Sequence, residues 1–128
     1  MTALTALLQD PGSGVYSVPA STELADIELV ASSAGWRCVA LDTTGIADRA
    51  GILVAIKEAF GFPAWFGHNL DALVDALRDV TFEPGTVLVW SGAATFATND
   101  RQQYQKVLAV LRSRAAASNP ARFLALLR

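Results

Sequence analysis

The sequence is expected to fold as an α/β protein: a small parallel β-sheet of three strands, or four, layered with helices. Three observations lead there. Short apolar runs alternate with longer segments whose apolar residues recur at helical spacing. Each gap between successive strand-type runs can hold a helix, and a crossover of that length returns the chain parallel to the strand it left. At 128 residues and 52% hydrophobic side chains, the chain has enough apolar surface for a real core and is not a disordered segment.

In order, Thr2–Leu8 can form a short helix that stops at Asp10-Pro11-Gly12. GVYSV, Gly14–Val18, reads as a short strand closed by Pro19. Ser21 or Thr22 can cap a helix running to about Ala34, with Leu24, Ile27 and Val30 or Ala31 inward, and Gly35 sits where a C-terminal glycine belongs. Arg37–Leu41 alternates little and reads as a strand covered on both faces. Asp48 starts a helix through Phe60, buries Ile52, Leu53, Ile56 and Phe60, and yields to Gly61-Phe62-Pro63. Asn69 caps the next helix. Pro84-Gly85 is a turn, and Thr86–Trp90 a second core strand. Asn99 or Asp100 caps a long helix carrying Tyr104, Val107, Leu108 and Leu111, broken at Asn119-Pro120 before the final strand, Phe123–Leu127. Nothing marks a second domain.

Composition narrows the function classes. No apolar run approaches the roughly 18 residues that span a bilayer, so no membrane association is expected. The first basic residue is Arg37, which does not fit a secretory signal. A lone cysteine, Cys38, set in the apolar run CVAL, reads as a buried structural thiol and fits a reducing, cytoplasmic setting. No Gly-rich phosphate loop and no C-x-x-C spacing occur, and neither cofactor nor metal is expected. Charge is split along the chain: all 12 acids lie at or before Asp100 with four bases, and six bases follow with no acid. The acidic part favours basic partners by steering. The basic part reads as the solvated faces of a last helix and strand.

The most informative stretch is Phe62–Leu77, FPAWFGHNLDALVDAL. Leu70, Leu73, Val74 and Leu77 form an inward stripe, while Asp71, Asp75 and Asp79 stack along a neighbouring face. Like charges at that spacing repel. Carboxylates kept there beside Trp65 and Phe66 suit presentation to something positive, although a solvated helix face with an Asp75–Arg78 pair explains them too. Phe66 is expected to be buried and Trp65 partly exposed; Trp36 and Trp90 read as core. His68, the only histidine, could act as a general base oriented by Asp71 or Asp75, but the chain supplies no paired nucleophile and no second histidine.

Pro63, Trp65-Phe66-Gly67, His68, Asn69-Leu70-Asp71-Ala72-Leu73, Val74 and Asp75 together resemble the signature of the barstar family of ribonuclease inhibitors. The resemblance covers residues 36–128, leaving 1–35 as an added strand-helix unit of one barstar-like domain, 1–128. It implies a protein without catalytic activity that binds a ribonuclease or nuclease toxin with a basic active site and makes no direct contact with nucleic acid. By the same resemblance, Asp75 is the main phosphate mimic and Asp71 its neighbour, Trp65 takes the aromatic contact position in the loop, and Gly67 lets the backbone approach the target; His68, at the start of the helix, is expected to shape the loop or touch the partner. Val74 stands where the family's inhibitor has a large aromatic, and Ser113 where an acidic contact is expected. These two departures keep open an alternative: a non-inhibitory interaction or self-assembly module, weakly homo-oligomeric, on the same scaffold.

Overall fold

The computed structural model describes residue 8 and residues 14–64, 66–117, 119 and 121–128. The expected helix over Thr2–Leu8, Leu8 apart, and the expected exposure of Trp65 lie outside the described residues. The chain runs β1 (Gly14–Ser17), α1 (Leu24–Ser33), β2 (Arg37–Asp42), α2 (Arg49–Phe60), α3 (Leu70–Arg78), β3 (Gly85–Ser91), α4 (Ala94–Asn99), α5 (Arg101–Ala116) and β4 (Arg122–Leu127). All strand pairs are parallel, in the order β1-β4-β3-β2, so GVYSV does join the sheet as a fourth strand.

This order decides which face each helix covers. From β1 the chain crosses the whole sheet to β2, then steps back through β3 to β4. Crossovers of one hand put helices on opposite faces when the direction of travel reverses. Accordingly, Ile27 and Ala31 of α1 pack with Leu8 and Trp36 on Val87, Val89, Leu124 and Leu126. Helices α2 to α5 pack on the other face, where Leu88, Trp90, Phe123 and Ala125 meet Ile52, Ile56, Leu73, Phe96, Val107 and Leu111. Successive residues of β3 and β4 therefore belong to opposite cores, as the period of two in a strand requires. Trp36 and Trp90 are both buried, and the Trp90 indole donates to Thr43 Oγ1 at 2.8 Å.

Three expectations need correction. β2 does alternate: Val39 and Leu41 are buried while Ala40 and Asp42 are exposed. It is an edge strand, and α1 leaves part of its outer face uncovered. Cys38 is for that reason only half-buried, and desolvation, aided by nearby Glu28, pushes its thiol up to about 11. At α1, Glu23 occupies the N-cap without a side-chain bond, in place of Ser21 or Thr22. The short α4, anchored by Phe96, adds a helix that the sequence pattern does not mark; Asn99 ends it and Asp100 caps α5 by accepting from Gln103 N at 3.1 Å.

Candidate functional site

The loop from Gly61 to Asn69 is built by aromatic packing. Gly61 ends α2 in the left-handed conformation, φ 71°, which costs glycine little. Phe60 and Phe62 then stack at 5.1 Å, and Phe66 meets Phe62 edge-to-face at 5.4 Å. Phe66, 2% exposed, plugs the loop into the core as expected. His68 leans on the Phe66 ring, and its φ of 38° is the only positive value at a non-glycine among the described residues. Such a residue is held there by its surroundings at some cost, and residues of that kind cluster at functional sites.

Asn69 fixes the start of α3. Its Oδ1 accepts from Ala72 N at 2.8 Å while its Nδ2 donates to Gly67 O at 2.9 Å, locking loop and helix together. Gly67 has no positive φ, and a Cβ added there would meet Asn69 Nδ2 at an ordinary 3.4 Å. Its expected role in close approach to a partner therefore has no counterpart in internal packing.

Along α3, Leu73, Ala76 and Leu77 are buried, and Leu70 and Val74 are half-buried. Asp71 and Asp75 are exposed one turn apart, with Asp71 in the first turn where the helix dipole favours it. Asp75 Oδ1 accepts from Arg78 at 3.2 Å, the pair foreseen in the sequence; both side chains stay mostly in water, at 64% and 72% exposure. A pair that open is worth only tenths of a kcal/mol and leaves Asp75 available to a stronger cation. His68 makes no hydrogen bond to Asp71 or Asp75 among the described residues; it borders a shallow groove with Asp48 and Asp100, whose carboxylates are engaged as helix caps. That arrangement offers no nucleophile–base pair.

One residue of the basic segment departs from the solvated-face reading. Arg114 is 6% exposed and donates to four carbonyls: Leu77 and Val80 at the end of α3, Ala117 at the end of α5, and Ala121 before β4. Its guanidinium lies 5.4 Å from the centre of the Phe123 ring. Desolvation lowers its pKa, but three of the acceptors lie at or just past the negative ends of α3 and α5, and no carboxylate pairs with the charge among the described residues. The signal for this burial was present in the spacing, since Val107, Leu111 and Arg114 share one helix stripe.

The profile of a family described as Barstar (barnase inhibitor) matches residues 36–127. The chain belongs to the barstar family. The match spans β2 to β4 and contains the whole Phe62–Leu77 stretch; β1 and α1 precede it. The barstar family is one of inhibitors, not of enzymes. Comparison with curated proteins gives no match. Among solved structures, the ORC2 protein of Aeropyrum pernix, studied as ADPNP–ADP complexes, is similar in fold over 98% of this chain, with a TM-score of 0.63 and 15% identity. The chain spans 39% of that protein's length, and the likeness concerns the fold alone. No helix among the described residues is long and apolar enough to cross a membrane.

Proposed function

We propose that this barstar-family protein is an inhibitor or immunity-type partner that binds a basic ribonuclease and occludes its active site with α3 and the loop before it. The observation that carries the reading is the pair Asp71 and Asp75, exposed one turn apart on a helix pinned at its start by Asn69 and at its end by Arg114. Carboxylates at that spacing can occupy the positions of phosphate oxygens, and charge-assisted bonds to arginine are strong and directional. Because the helix is fixed before binding, little ordering is lost on association. Trp65, Gly67 and His68 on the loop and Val74 between the aspartates would complete the contact.

The single cysteine supports action in a reducing, cytoplasmic compartment. The test is titration of barnase, as the probe ribonuclease, at low and moderate salt. Stoichiometric loss of RNA cleavage that weakens as salt rises is expected. Undiminished cleavage at micromolar inhibitor with this and other basic ribonucleases would overturn the proposal.

A further inference from the structure

The seam between α3 and α5 holds a cavity of about 140 Å³. Val74, Leu77, Val110 and Ala117 form its apolar walls, Ser113 and Arg114 add polar groups, and Arg78 stands at the same site. Building on the inhibitor reading above, we infer that this cavity is an anchor site for one tyrosine side chain of the bound ribonuclease, and that it selects among possible targets.

Four features converge on that occupant. The first is size: an aliphatic cavity of roughly 150 Å³ holds one benzene ring, and the volume here is about the same. A half-buried Val74 leaves that space open where a larger side chain on α3 would fill it.

The second is charge. Among the described residues, two guanidinium groups and no carboxylate line the cavity. The lysines and arginines suited to Asp71 and Asp75 are therefore repelled here, whereas guanidinium groups interact favourably with an aromatic face. The third is hydrogen bonding. Among the described residues, Arg114 places four of its five N–H groups on carbonyls, and the fifth is on Nη1, the nitrogen whose other hydrogen goes to Ala117 at the wall. Arg114 and Ser113 both line the cavity, and donors of these kinds suit a phenolic oxygen.

The fourth is position. Val74 lies between Asp71 and Asp75 in sequence, and Arg78 joins the two regions by pairing with Asp75 while lining the cavity. A basic surface seated on the aspartates is thus carried over the cavity mouth. Aromatic anchors in desolvated pockets beside charged pairs are where binding energy concentrates.

The experiment uses p-cresol, the tyrosine side chain as a free molecule, titrated into methyl-labelled full-length protein and followed by NMR. Saturable shifts centred on Val74, Leu77 and Val110 are expected, with affinity in the roughly millimolar range set by so small a ligand. Val74→Phe and Ala117→Leu, each checked for a native-like melting curve, should weaken p-cresol at least about tenfold, while Glu58→Ala, outside the cavity lining, should leave it unchanged. Benzylamine should bind far more weakly.

Absence of saturation, shifts undiminished in both filled variants, or benzylamine binding as well as p-cresol would each overturn the inference. A parallel inhibition assay separates it from the reading it rests on. If wild type inhibits the ribonuclease, Asp75→Ala does not and Val74→Phe inhibits fully, the anchor is refuted and the inhibitor role stands. If wild type inhibits no basic ribonuclease, the inhibitor role falls and takes the proposed occupant with it.

Discussion

Replacing Arg114 by methionine keeps the aliphatic stem packed but removes the guanidinium that ties three segments together. Four carbonyls, of Leu77, Val80, Ala117 and Ala121, then lose their donor. At about 1 kcal/mol for each unmade bond the gross loss is about 4 kcal/mol. Two effects reduce it. The variant no longer desolvates a charge, and water can reach the carbonyl of exposed Ala117. A net destabilisation of about 2.5 kcal/mol is expected, which for a chain of this size lowers the melting temperature by roughly 8–10 °C.

Urea and thermal denaturation followed by circular dichroism would measure it. Arg114→Lys should recover less than half the loss, because a point charge on a flexible stem cannot serve four fixed acceptors as a planar fork does. If methionine falls within about 0.5 kcal/mol of wild type, or lysine restores full stability, this buried cation does not hold the end of α3.

Three further outcomes are expected. Asn69→Ala removes a cap and the link to Gly67, and should cost about 1 kcal/mol in urea unfolding while raising hydrogen exchange in the first turn of α3. Thr86 is fully buried and its hydroxyl has no hydrogen-bond partner among the described residues, so the isosteric Thr86→Val should stabilise by about 1 kcal/mol in the same assay; a loss of stability would reveal a partner. Cys38, with its pKa near 11 against an ordinary 9.0, should react with iodoacetamide about 100-fold more slowly at pH 8 than an unstructured peptide thiol. Because its folded pKa is the higher one, its contribution to stability is intact below pH 9 and is lost as pH rises from 9 to 11; Cys38→Ser should flatten the stability profile in that window.

Much of this architecture is legible in the sequence because local chemistry and tertiary role agree. The stripe of α3, its Asn69 cap and the Asp75–Arg78 pair depend on residues within a few positions of one another. So do the strands β3 and β4, whose apolar runs are covered on both faces. What escapes depends on distant neighbours. The alternation in β2 follows from its place at the sheet edge, and a strand order is not encoded in the strand itself. Arg114 lies in an inward stripe, but its burial requires carbonyls of Leu77 and Val80 more than thirty residues away. The left-handed backbone of His68 is imposed by the aromatic loop and the cap that follow from folding, against the residue's own preference. The departures at Val74 and Ser113 were visible singly, yet only the packing of α3 on α5 places both on one cavity.

On the proposed function, the carboxylates of α3 do the work of inhibition. The most direct test is the inhibition constant of wild type against Asp75→Ala and Asp71→Ala on one basic ribonuclease at low salt. Losing a desolvated, charge-assisted contact should weaken Asp75→Ala by about 2 kcal/mol or more, roughly 30-fold, with a smaller loss for Asp71→Ala and a flatter salt dependence for both. Equal inhibition by wild type and both variants would mean that these carboxylates do not make the inhibitory contact.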